Sequence, residues 1–114
     1  MYKISNGNIY LTRGDSAKLW LTVTDSSEQA YDFSEDTVVM TVKRSCTDKQ
    51  ALIQKTFEYD SLTGKASVEF VPEDTQNLAM GDYVYDVQLT RAEDGAVDTI
   101  VTPHTFTLGT EVTW

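Results

Sequence analysis

The stretch "PEDTQNLAMGDYVYDVQLTR", residues 72–91, decides the fold. Its second half alternates with period two, so that successive side chains point to opposite faces of an extended strand. The residues that alternation directs to one face are Tyr83, Tyr85, Val87 and Leu89. The other face is mainly polar. This pattern predicts a long strand with one face on a hydrophobic core and the other face outside it.

The segment that leads into this strand, residues 72–82, is the one part of the chain that favours a helical turn. Glu73 and Asp74 suit the positive end of a short helix, and Leu78 can pack beneath it. Gly81 can adopt the positive φ that ends a helix. The sequence therefore predicts one short helical turn before the strand.

Period-two alternation recurs along nearly the whole chain, with turn residues at short intervals. The other predicted strands cover residues 8–12, 17–24, 37–44, 51–59, 65–71, 96–102 and a final segment after Pro103. The acidic turn that leads to an inward Tyr83 resembles the tyrosine corner of immunoglobulin-like folds. We therefore predict an all-β protein, an immunoglobulin-like antiparallel β-sandwich of seven to eight strands, with residues 1–114 forming a single domain.

Charge and composition exclude several classes of partner. The chain has 114 residues, with 9 basic and 18 acidic side chains and a net charge of −9. This balance opposes the binding of nucleic acid or of an anionic membrane, both of which require a basic surface. The sequence has no apolar run near the roughly 20 residues that span a bilayer, and its N-terminus lacks the features of a signal peptide. We expect no membrane partner and no export by a signal peptide.

Residue types that carry chemistry are sparse. Cys46 is the only cysteine and His104 the only histidine, and neither has a partner in the sequence that would suggest a nucleophile with its base or a metal site. The acidic residues cluster in predicted turns, where Asp commonly accepts hydrogen bonds from the backbone. We therefore predict no catalytic residue, no metal, no cofactor and no enzymatic activity.

The tetrapeptide "RGDS", residues 13–16, permits two interpretations. It matches an adhesion motif, but short motifs match by chance and adhesion requires secretion. Gly14 and Asp15 are also residues that a tight bend prefers. The sequence favours the bend, and we interpret these residues as a framework turn between two strands.

Large apolar side chains on outward-alternating positions are the candidates for an interaction surface. These candidates are Trp20, Val39, Val84 and the last residue, Trp114. Loops of the same chain could cover such side chains. Alternatively, they form a contact surface, since aromatic residues are enriched at the buried centres of protein interfaces.

Five segments together resemble a known family. They are "RGDSAKLWLTV", "VVMTVKR", "ALIQK", "VPEDTQNLAMGDYVYDVQL" and "GAVDTIVTPHTFTL". In this order they are similar to the immunoglobulin-like N-terminal domain of phage baseplate upper proteins and of related small tail-associated proteins. The resemblance implies that the turn at Gly14 and Asp15, and the strand start at Gly81, Asp82 and Tyr83, are framework positions. It also implies a virion component made in the bacterial cytoplasm.

Two functional hypotheses follow. The first is a non-enzymatic structural protein of a phage or prophage tail or baseplate, whose partners are other phage structural subunits and possibly a second copy of itself. The second is an immunoglobulin-like module that binds carbohydrate or a cell surface, with an exposed aromatic ring such as Trp20 beside hydrogen-bonding side chains such as Gln88 and Asp86.

Overall fold

The computed structural model describes residues 2–5, 7–23 and 31–109. This part of the chain contains nine strands and one short helix. The strands are β1 (Tyr2–Ser5), β2 (Asn8–Thr12), β3 (Ala17–Leu21), β4 (Thr37–Lys43), β5 (Ile53–Thr56), β6 (Glu58–Asp60), β7 (Lys65–Phe70), β8 (Gly81–Thr90) and β9 (Val97–Gly109). The helix, α1, covers Pro72–Thr75.

The strands form two sheets. The larger sheet has six strands in the order β1-β2-β9-β8-β4-β5, and the smaller has three in the order β3-β7-β6. All paired strands are antiparallel except β2 and β9, which are parallel. The predicted all-β sandwich is confirmed at the level of two packed sheets and one short helix. The immunoglobulin-like type stays a prediction.

The core lies between the sheets and consists of the inward side chains of both. As the alternation predicts, every second residue of β4 and β8 is buried. The rings of Phe70 from the small sheet and Phe106 from the large sheet stack at 5.7 Å and are fully buried. This contact joins the two layers, because each aromatic side chain removes a large apolar area from water.

The segment predicted as one strand, residues 51–59, forms two strands in different sheets. β5 pairs with β4 in the large sheet, whereas β6 pairs with β7 in the small sheet. Phe57 lies between them with its side chain buried, and its N–H donates to the carbonyl of Val38 at 2.8 Å. The chain therefore crosses from one sheet to the other at this phenylalanine.

Three further boundaries differ from the predictions. α1 ends at Thr75, so that Gly81, with φ of +142°, begins β8 rather than ending the helix. The two strands predicted on either side of Pro103 are one strand, β9, whose pairing with β8 shifts register twice. Pro103 lies at one of these register shifts. No hydrogen bond between the strands is lost there, because an irregular position does not need the N–H that proline lacks. β1 was not predicted, and it pairs with β2 as a hairpin.

Candidate functional site

Trp20 is the most exposed of the predicted surface residues within the described part of the chain. It lies on β3, between the buried Leu19 and the partly buried Leu21, and 49% of its surface is accessible. The ammonium of Lys18, two residues earlier on the same face, is 4.9 Å from the centre of the indole ring. A cation over an aromatic face is attracted by the ring quadrupole. Much of the indole is nevertheless open to a partner.

The rest of the face around Trp20, the outer face of the three-stranded sheet, is polar. Trp20 is paired with Ser67 on β7, and Glu58 on β6 flanks Ser67 from the other side. On the same face, two residues away along the strands on either side, Lys18 is paired with Glu69 and Asp60 with Lys65. Trp20 is thus an isolated aromatic on an edge strand, surrounded by charged side chains of both signs.

Val39 and Val84 lie on the outer face of the other, six-stranded sheet. Val39 is paired with Gln88 and Val84 with Lys43, and both valines are half-buried. Three residue pairs of the ladder lie between them, so that they are four residues apart along the strands, about 13 Å at the rise of a strand. A concavity of about 360 Å³ lies on this face. Side chains that line it include Thr41, Lys43, Gln54, Val84, Asp86 and Gln88.

The candidate interface residues therefore do not form one surface. The structure places Trp20 on the outside of the small sheet and Val39 and Val84 on the outside of the large one. Trp114 lies outside the described residues. Alternation indicates which side chains point away from the core, but it does not indicate which sheet a strand joins, because that depends on pairing between distant parts of the chain.

The turn at Gly14 and Asp15 is fixed by hydrogen bonds to other parts of the fold. Gly14 has φ of +83° and is buried, and its N–H donates to the Thr75 hydroxyl at 2.8 Å. The N–H of Asp15 donates to the carbonyl of Thr12, which closes the turn. Arg13 donates from Nη1 to the carbonyl of Leu78 at 3.2 Å. The "RGD" segment thus joins β2 to β3 and contacts the connection that follows α1.

The start of β8 has a second set of structural contacts. The buried Tyr83 donates its hydroxyl to the carbonyl of Ala79, four residues upstream, at 2.6 Å. A tyrosine corner has this arrangement, in which a hydroxyl at a strand start bonds to backbone a few residues earlier. Asp82 accepts a hydrogen bond from the hydroxyl of Thr107 on β9 at 2.8 Å. Both contacts fix the connection from α1 into β8.

A structured segment ahead of β4, residues 31–36, is not predicted from the sequence. Phe33 is almost fully buried, and its ring meets that of Tyr59 edge-on at 4.6 Å. Tyr31 donates its hydroxyl to Asp36 at 2.8 Å, and this hydrogen bond raises the pKa of Tyr31. The other oxygen of Asp36 accepts the N–H of Ala92 at 3.0 Å. The only signal was the pair of aromatic residues in an otherwise polar stretch.

Cys46 and His104, the residues considered for chemistry, lie in different parts of the fold. Cys46 is exposed and lines the concavity on the large sheet. His104 lies on β9, where its Nδ1 contacts the carbonyl of Thr102. Tyr85 donates its hydroxyl to the carbonyl of Gly7, and burial raises the pKa of that phenol. Within residues 2–5, 7–23 and 31–109, no group of three or more His, Cys, Asp or Glu side chains is placed to hold a metal ion.

The sequence matches no protein-family model and no curated protein. A separate observation concerns membranes. None of the helices in the described part of the chain has the length and apolar character needed to cross a bilayer.

Proposed function

We propose that this chain is a non-enzymatic structural protein of a phage or prophage tail or baseplate, and that it acts through protein–protein contacts. Trp20 carries this proposal. A half-exposed indole at the edge of a small sheet is available for burial against another subunit, and tryptophan is among the residues that contribute most to binding when an interface buries them. The resemblance of the sequence to baseplate upper proteins indicates the kind of assembly.

The surroundings of Trp20 suit an interface of this kind. Protein interfaces have an aromatic centre and a polar rim that stays partly hydrated. Lys18 and Glu69 lie on one side of the indole, and Ser67 and Glu58 lie beside it across the sheet. These side chains would form the rim and select partners by charge, because complementary charges accelerate association and disfavour wrong partners.

The carbohydrate-binding alternative places an exposed aromatic ring such as Trp20 beside hydrogen-bonding side chains such as Gln88 and Asp86. The structure places the indole on the small sheet and the two polar side chains on the outer face of the large sheet. These three residues therefore do not line one sugar site, and no other observation favours this alternative.

Particle composition tests the proposal. In a bacterial strain that encodes the chain, phage particles released after prophage induction would be purified and analysed by mass spectrometry and by labelling with a specific antibody. We expect the protein in the particles at a fixed ratio to the other tail subunits. Purified, infectious particles that lack the protein would refute the proposal.

A pair of variants then tests the role of Trp20. Trp20→Ala removes the exposed indole, and Val97→Ala removes a side chain of similar exposure, 56% against 49%, on the large sheet. Both variants should fold normally, because both side chains are about half exposed and lie outside the core. We expect Trp20→Ala to lower incorporation into particles at least about tenfold, as loss of a central interface aromatic does, while Val97→Ala leaves it unchanged. Equal incorporation of the two variants would exclude Trp20 from the contact.

A further inference from the structure

The outer edge of β3 differs from the other sheet edges whose side chains are described. Among the described strands, β3 pairs only with β7. Proteins usually protect such edges with short strands, proline, bulges, inward-pointing charges or charged side chains along the edge, because an open strand recruits another chain. β3 has five residues, no proline or glycine, and an unbroken register with β7. Its inward residues, Ala17, Leu19 and Leu21, are all apolar.

The edges at β5 and β6 are more strongly protected than the edge of β3, whose one charged side chain is Lys18. On β5, Lys55 bonds to Asp74 at 2.8 Å and its ammonium lies 5.9 Å from the centre of the buried Phe70 ring, so that a charge lies against the core at this edge. β6 has only three residues, and its outward side chains, Glu58 and Asp60, are both acidic. A second copy of β6 would therefore be repelled.

We propose that β3 pairs antiparallel with β3 of a second copy of this chain, about a two-fold axis at Leu19, so that the two small sheets join into one. This inference rests on the proposed assembly function and names its partner. The pairing sets the outward Lys18 of each chain opposite the outward Trp20 of the other. It also sets Leu19 opposite Leu19 and Ala17 opposite Leu21 on the inward face.

The period of a strand restricts the register to a few choices. Residues directly opposite each other must point to the same face, so a two-fold axis can pass through Lys18, Leu19 or Trp20 but not between residues. An axis at Lys18 would bring two ammonium groups together. An axis at Trp20 would leave Ala17 and Lys18 without a partner within the strand. Only the axis at Leu19 pairs all five residues of the strand, and it makes two cation–π pairs.

The contact between Lys18 and Trp20 within one chain supports this register. The ammonium already lies 4.9 Å from the indole centre when the two residues are neighbours on one face of β3. Directly opposite residues of paired strands are about 4.5–5.5 Å apart, closer than residues i and i+2 of one strand. The lysine of one copy can therefore reach the indole of the other without a change of backbone.

The dimer is expected to be weak in isolation. Five paired residues bury much less than the roughly 1,200 Å² of a stable interface. Two chains of net charge −9 also repel each other, although about 0.15 M salt screens this repulsion beyond about 8 Å. The expected behaviour is a reversible monomer–dimer equilibrium with a dissociation constant below about 1 mM.

Sedimentation velocity on the full chain, from about 10 μM to about 1 mM in 0.15 M salt, tests the proposal. The wild type should shift from monomer to dimer. Trp20→Lys places like charges opposite each other at both ends of the contact and should weaken the dimer at least about tenfold. The matched control is Val97→Lys, which makes the same charge change at an exposed valine on the large sheet and should leave the dimer unchanged.

The double variant Lys18→Glu/Trp20→Lys distinguishes this register from a general effect of charge. It places a carboxylate opposite an ammonium at both ends and should restore dimerisation to within about threefold of the wild type. Circular dichroism and thermal unfolding check that each variant folds. A wild type that is monomeric at about 1 mM, equal weakening by Trp20→Lys and Val97→Lys, or a double variant no better than Trp20→Lys would each overturn the pairing. The particle analysis is independent of these outcomes, so the proposed function can survive the failure of the dimer.

Discussion

Replacement of Thr75 by valine removes the acceptor that fixes the turn at Gly14. Thr75 has no accessible surface, and its hydroxyl accepts the N–H of the buried Gly14 at 2.8 Å. Valine has nearly the same shape, so the substitution leaves no cavity but leaves a buried donor without its partner. An unsatisfied buried donor costs about 1–3 kcal/mol. We therefore expect Thr75→Val to lower the free energy of unfolding by about 2 kcal/mol.

Urea unfolding followed by fluorescence and circular dichroism measures this change. The slope of the unfolding free energy against urea concentration should stay the same if the folded and unfolded states keep their compactness. Thr75→Ser is the matched control, because it keeps the hydroxyl and removes one methyl group, at a cost of about 1 kcal/mol. Hydrogen exchange gives a second readout, since the Gly14 amide should lose protection in Thr75→Val and keep it in Thr75→Ser. A Thr75→Val variant as stable as the wild type, or more stable than Thr75→Ser, would refute the reasoning.

Three further predictions concern tyrosines and one carboxylate. Tyr83→Phe removes the 2.6 Å hydrogen bond to the carbonyl of Ala79 and should lower the free energy of unfolding, measured with urea, by about 1 kcal/mol. An unchanged free energy of unfolding would mean that a water molecule donates to this carbonyl equally well in the variant. Burial raises the pKa of Tyr85, so the folded state disfavours the phenolate, and stability that is present below about pH 10 is lost as pH rises through the folded pKa. Tyr85→Phe loses the hydrogen bond to the carbonyl of Gly7 and should for that reason be less stable than the wild type at pH 7. The difference should shrink above about pH 10, where the wild type alone loses stability; a constant difference would contradict this. The N–H of Ser34 lowers the pKa of Asp32, which gives stability above its ordinary value of 3.8 that is lost as pH falls through the folded pKa. Asp32→Asn should flatten the acid limb of the stability profile, and an unchanged limb would show that the bond also forms in the unfolded chain.

The inward and outward positions of the long strands could be predicted from the sequence, because they depend only on period two. Tyr83, Val87 and Leu89 are buried as alternation requires, and the same holds for Val38 and Met40 on β4. One face of each strand meets the core, so a shift by one residue would expose every apolar side chain. The short helical turn was predictable for a local reason as well. The Asp74 carboxylate accepts the N–H of Val71 at 2.8 Å at the start of α1.

Features set by contacts between distant segments could not be predicted. Phe33 is buried because Tyr59, 26 positions later in the sequence, presents a ring to it. The change of sheet at Phe57 depends on Val38, whose carbonyl accepts its N–H. Neither partner is visible in a window of a few residues. β1 was missed because its few residues contain only two that suggest alternation, and its pairing with β2 is what makes it a strand.

The candidate interface residues Trp20 and Val84 differ in the same way. Their outward direction follows from the local sequence, whereas their exposure depends on strands that are distant in the sequence. Alternation assigned Trp20 and Val84 equally to the outside, yet the two differ in what surrounds them. Val84 belongs to β8, which has a strand on each side, and the neighbouring side chains half-cover it. Trp20 belongs to β3, which among the described strands has a neighbour on one side only, so the indole stays half-exposed. An edge position is a property of the sheet order, and it leaves both the side chain and the backbone of a strand available to a partner. For this reason Trp20 is a stronger candidate for an assembly contact than either valine.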